Sequence, residues 1–199
     1  MHCAARVRCP PQVSSPSCGR HDEWGTGMSR SVNVMEIAAS PAEVFSVLID
    51  PTTYPDWLMG ARATRSVDRD WPAEGSAFHH QLGLGPVRIP GSTTVVEVMA
   101  PERLVLAAGM GVLGEARVRF ELVPVRSGTA VTVHEATSRG IVKWAGHLAR
   151  PAVDLALWGR NGRSLTRLKD LIDRRRRRFA QDSPNSSGLR SGDAGNTPA

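Results

Sequence analysis

Hydrophobic and polar positions in this chain follow two periods. Between residues 144 and 177, Leu148, Leu155, Trp158, Leu165, Leu168 and Ile172 recur at three-, four- or seven-residue steps, which marks one apolar helix face. Arg150, Asp154, Arg160, Arg163, Arg167, Asp170 and Arg174 fall mostly between them and are expected to face water. Pro151 has no N–H to donate, so it should kink this helix or mark its true start. Gly159 and Gly162 each cost about 1 kcal/mol against Ala inside a helix. Small residues there fit a helix that approaches something closely, either by simple packing on a sheet or with room for a ligand between.

Upstream the period is two. A first strand is expected over 32–38. Ser40-Pro41-Ala42-Glu43 then reads as a helix start, with Ser40 as N-cap, Pro41 at the first helical position and Glu43 at the capping-box position. That helix carries Val44, Phe45, Val47, Leu48 and Ile49 and stops at Asp50-Pro51. A second short helix is expected over 52–58. Strand-sized runs follow at 61–68, 76–82, 92–99, 104–108, 115–123 and 129–137, with turn signals between them. Residues 87–89 are expected to continue the 76–82 strand past a kink. Short links between consecutive strands imply an antiparallel meander. The order β–α–α–β(×6)–α gives an α+β fold: a sheet of about seven strands curved around one long C-terminal helix. One helix cannot fill all the space inside such a sheet, so a cavity between them is expected.

Composition narrows the picture. Among 199 residues, all three cysteines (Cys3, Cys9 and Cys18) lie in the first 27. The remainder has none, so no disulfide framework is expected there. The N-terminus lacks the apolar segment of a secretory signal, and cytoplasmic residence is the default expectation. Residues 1–27 are aperiodic and read as a disordered leader or a gene-model extension, with the domain over 28–179 and a disordered tail over 180–199. The formal net charge is +6, and Arg174, Arg175, Arg176, Arg177 and Arg178 supply five of it. That run is either the solvated end of a helix or a weak contact for an anionic surface. No specific nucleic-acid partner is expected. No cofactor motif and no metal-ligand spacing stands out: Gly83-Leu84-Gly85 precedes a Pro and a strand, so it is a turn and not a phosphate loop.

Alternation assigns faces. Val118, Phe120, Val131 and Val133 point inward, and Glu135 shares their side. Phe78 shares a face with His80, whereas His79 has the opposite parity and His134 points outward. His80 and Glu135 are therefore the ionisable residues expected on the inner wall, with Leu155 and Trp158 completing it from the helix. The pair can fix the polar end of an apolar ligand or act as general acid and base, and a carboxylate in such a pocket is expected to have a raised pKa. A purely structural role for both is the plainer alternative. Tyr54, Trp57 and Trp71 either cap the cavity mouth or staple the short helices to the sheet.

The chain resembles the START-like helix-grip superfamily, and within it the polyketide cyclase/dehydrase and lipid-transport (SRPBCC) branch. The resemblance rests on Ser40-Pro41-Ala42-Glu43-Val44-Phe45, Asp50-Pro51, Tyr54-Pro55-Asp56-Trp57, Asp70-Trp71-Pro72 through Gly75, and Phe78-His79-His80. Gly83-Leu84-Gly85-Pro86, Gly128 to Val133 with Glu135, and Asn161 to Leu168 extend it over 30–178. It implies a hydrophobic pocket between sheet and C-terminal helix, holding a small hydrophobic ligand such as a lipid, a polyketide or an isoprenoid-like compound. Some members are enzymes, so a cyclase or dehydratase using His80 and Glu135 is the second expectation. A protein-interaction or stress module is the third.

Overall fold

The computed structural model describes residues 29–84, 86–109, 114–140 and 146–182. In chain order the elements are β1 (Ser29–Ile37), α1 (Pro41–Leu48), a 3-10 turn (Pro51–Thr53), α2 (Tyr54–Trp57), β2 (Ala61–Val67), β3 (Ala77–Leu84), β4 (Val87–Met99), β5 (Arg103–Gly109), β6 (Gly114–Val125), β7 (Gly128–Gly140) and α3 (Gly146–Asp182). The strands form one antiparallel sheet in the order β1-β7-β6-β5-β4-β3-β2. This is the expected helix-grip arrangement, with two short helices after the first strand and a long helix at the end. The cysteines, the leader, the tail beyond 182 and residues 110–113 and 141–145 lie outside the described residues.

Local chemistry explains the start of the fold. The Glu43 amide donates to the Ser40 hydroxyl, and the Ser40 amide donates back to the Glu43 carboxylate at 2.8 Å, a closed capping box. Those bonds from Ser40 hold the Glu43 carboxyl below the usual carboxylate range. α1 buries Val44, Phe45, Val47 and Leu48. Its last carbonyls would be orphaned without partners. The Tyr54 hydroxyl donates to the Leu48 carbonyl at 2.8 Å, and the Trp71 indole N–H donates to the Ile49 carbonyl at 2.6 Å. Both rings pack edge-on against Phe78, at 4.8 and 5.0 Å between centroids, and Trp57 packs against Phe120. These aromatics therefore staple the short helices to the sheet. Burial pushes the Tyr54 hydroxyl pKa far up.

Three expectations need correction. Residues 87–89 do not prolong β3: the chain reverses at Leu84↔Val87, and 87–99 is one strand, β4. Pro90 hid this, since a proline argues against a central strand. Pro151 does not mark the start of α3, because the helix runs from Gly146 through it. The glycines of α3 are not close-approach sites either: a methyl at Gly162 would stand 3.6 Å from Asn33 Nδ2, and one at Gly159 would meet nothing within 4 Å. Gly128 differs. Its φ is +140°, and a methyl there would collide with the Ile37 carbonyl, so the β6–β7 hairpin needs glycine where it passes the end of β1.

The core is one cluster. Ile37, Val44, Leu48, Trp57, Phe78, Leu104, Phe120, Leu122, Val131, Leu165, Leu168 and Ile172 all belong to it. Leu165, Leu168 and Ile172 place one face of α3 over the sheet.

Candidate functional site

The inner face of the sheet changes character along its strands. Toward α1 and α2 it is filled by Leu104, Phe120, Leu122 and Val131. Directly paired residues share a face, so Phe78↔Thr93, Thr93↔Ala108 and Ala108↔Ala116 define an inward row that is small after its first member. Beyond this row lies His80, paired with Gly91. On its other side lies the row of Leu106, Val118 and Glu135, with Ser31 completing it on β1. His80 and Glu135 thus stand on opposite flanks of a patch floored by Gly91, Thr93, Ala108 and Ala116.

His80 is 6% exposed, with its ring 5.3 Å from that of Phe78. It lies over Gly91, where a methyl would stand 2.9 Å from His80 Nε2. Its Nδ1 is buried and bonds to none of the described residues. Burial, with His79 as the second cause, holds its pKa below the ordinary histidine value; the Phe78 backbone opposes this.

Glu135 is 2% exposed, and partners other than His80 hold its carboxylate. Arg160 Nη2 donates to its two oxygens at 2.6 and 2.7 Å. Asn161 Nδ2 donates to Glu135 Oε2 at 2.6 Å and to Ser31 Oγ at 2.9 Å. The network joins β1, β7 and α3. Arg160 was expected to face water; instead its guanidinium is drawn to the buried carboxylate, although about a third of the side chain stays exposed. Its Nε is buried and donates to none of the described residues, and the buried Asn33 Oδ1 likewise accepts from none. Asn33 Nδ2 donates to the Trp158 carbonyl at 3.1 Å, fixing α3 against the edge strand.

The other expected wall residues divide. Phe78, Phe120, Val131 and Val133 are buried in the packed core, and Val118 is partly buried beside it. Leu155 and Trp158 are not wall: they are 68% and 55% exposed. Seven-residue steps from Leu165 gave the right azimuth for Trp158, but burial also requires a surface opposite. The buried side chains described on α3 begin at Asn161 and continue through Ser164, Leu165 and Leu168. Asn161 and Ser164 sit in the apolar stripe, four residues before Leu165 and Leu168 respectively, and such polar interruptions are the signal that could have revealed the network. His134 lies on the outer face, with Nε2 3.4 Å from Glu121 Oε2. In the arginine run, Arg175 pairs with Asp50 and Arg176 with Glu43, each at 3.6 Å, while Arg174, Arg177 and Arg178 are exposed. No group of metal-ligating side chains occurs among the described residues, and none of their helices is long and apolar enough to cross a membrane.

Sheet, short helices and long C-terminal helix define a helix-grip fold. The chain belongs to the polyketide cyclase / dehydrase and lipid transport family, whose model matches residues 28–173. No curated protein matches it in sequence. Among solved structures it is similar to the Zhui aromatase/cyclase from Streptomyces sp. R1128, at 12% identity and TM-score 0.60, over 74% of this chain and 95% of that one. It is similar also to a protein of unknown function from Staphylococcus aureus, at 12% identity and TM-score 0.63, over 75% and 96%. A Nitrosomonas europaea protein shares 20% identity at TM-score 0.58, over 74% and 96%. At these identities the likeness is one of fold.

Proposed function

We propose that this protein binds a small hydrophobic ligand (a lipid, polyketide or isoprenoid-like molecule) between the sheet and α3. The observation that carries the reading is the floor of Gly91, Thr93, Ala108 and Ala116 on a face otherwise filled by large side chains. An apolar body lies over that floor. His80 Nδ1 and Arg160 Nε, both buried and unspent toward the described residues, meet oxygen functions at its ends. Cytoplasmic residence is part of the same proposal. A cyclase or dehydratase working through a His80–Glu135 pair finds less support. β4, β5 and β6 separate the strands that carry the two residues, and Arg160 and Asn161 occupy the Glu135 carboxylate.

The test is native mass spectrometry of the full chain, followed by Nile red titration of wild type and Ala108→Leu, a change that raises the floor at a half-buried position. Wild type should carry or take up one apolar molecule, and Ala108→Leu should bind Nile red at least about tenfold more weakly, about 1.4 kcal/mol, with an unchanged circular dichroism spectrum. Equal binding by a folded Ala108→Leu variant, or no binding by wild type, overturns the reading.

A further inference from the structure

The outer face of the sheet carries a separate feature at the β3–β4 hairpin. A cleft of about 400 Å³ is lined there by Arg62, Ala63, Gln81, Gly83, Pro86 and Arg88. Register puts it on the far side from the ligand patch. Gln81 pairs with Ala63 and Pro90, and Gly83 with Arg88, out of phase with the inward Phe78 and His80. Arg62 sits where the β2–β3 register breaks between Ala61 and Ala63. Its side chain lies across Gly83: a methyl on that glycine would collide with Arg62 Nε and stand 3.0 and 3.2 Å from Cγ and Cδ. Arg88 faces the same glycine from β4. Two guanidiniums therefore flank one bare stretch of backbone.

Nothing described offsets their charge. Arg62 and Arg88 make no ion pair or hydrogen bond with the described residues, and no acid among them lines the cleft. Elsewhere on the sheet Arg103 pairs with Glu97 and Arg119 with Glu121. Like charges held close across strands destabilise a sheet. Each guanidinium also keeps five N–H donors in a fork that suits tetrahedral or planar oxyanions. Gln81 adds an amide donor to the lining.

We propose that this cleft is a phosphate seat, with Arg62 and Arg88 as its two clamps. The phosphate belongs either to a soluble phosphoester or to a phospholipid headgroup. The full chain should be titrated with inorganic phosphate and pyrophosphate by calorimetry at low salt, and floated with phosphatidylglycerol vesicles against phosphatidylcholine vesicles. Saturable phosphate binding marks the soluble source, and flotation that requires phosphatidylglycerol marks the headgroup. Under the proposal, Arg62→Gln and Arg88→Gln each weaken that binding at least about tenfold and the double variant abolishes it, while Arg126→Gln, an exposed arginine of the β6–β7 hairpin, leaves it unchanged. All four arginine-to-glutamine proteins should keep the wild-type circular dichroism spectrum, because the side chains are exposed. Absence of binding in both assays overturns the proposal. So does binding that survives the double variant, including vesicle binding lost only when Arg174, Arg177 and Arg178 are neutralised.

Discussion

At His80 the fold works against protonation. Burial disfavours the imidazolium, and His79 adds to the effect. The unfolded chain, at the ordinary histidine value of 6.5, therefore takes up a proton before the folded one does. Stability from this group is full above that pH and is lost as pH falls below it, until the folded pKa is reached. Urea unfolding from pH 7 to 5 should show the decline, and His80→Gln should make it shallower by at most about 1.4 kcal/mol per pH unit. The inward parity of His80 and Glu135 was legible because side chains in strands alternate strictly. The partners of Glu135 were not legible: Arg160 reads as a surface arginine until β7 is placed beneath α3, and no local pattern carries that information.

Elements were legible wherever a local rule decided them, as at the Ser40 capping box and the 165–172 helix stripe. They were misread where tertiary context decided. Leu155 and Trp158 continued the apolar pattern of α3 past the point where the described helix is covered. β1 reverses the usual rule, pointing Val32 and Val34 to solvent and Ser31 and Asn33 inward, because its inner face serves the Glu135 network. Local rules tend to fail at functional sites, and the ligand-binding reading draws support from this reversal. α3 also carries a removable cost at Gly159, which has open space around it and no special backbone conformation. Gly159→Ala should stabilise the protein by about 0.5–1 kcal/mol, read as a raised denaturation midpoint. A destabilised variant would mean that something presses on this side of the helix.

For the whole molecule, layer order and sheet topology followed from element order alone, because short links between strands leave an antiparallel meander few alternatives. What fills the interior did not follow, since it depends on which rows are small. The Glu135 network is the polar tie across that interior, joining β1, β7 and α3. Removing one member of a buried ion pair strands the others, at about 3–5 kcal/mol when the burial is complete. Arg160 is partly solvated, so Glu135→Ala should cost less, about 1–3 kcal/mol. Hydrogen exchange should then speed up over 158–172 and over β1 while β4 to β6 stay protected. Uniform acceleration everywhere would show that the network does not single out the helix. If the pairing itself matters, Glu135→Ala and Arg160→Leu together should cost less than their sum.

The neighbourhood of β1 has a temporal side. Ile37 pairs with Thr129 and Ser29 with Thr137, so the first strand made has no sheet partner until the last has left the ribosome. Nearly the whole domain must be synthesised while Val32, Val34 and an unpaired backbone edge stay open to other chains. Such long-range closure is slow, and during that wait the nascent protein is most exposed to aggregation.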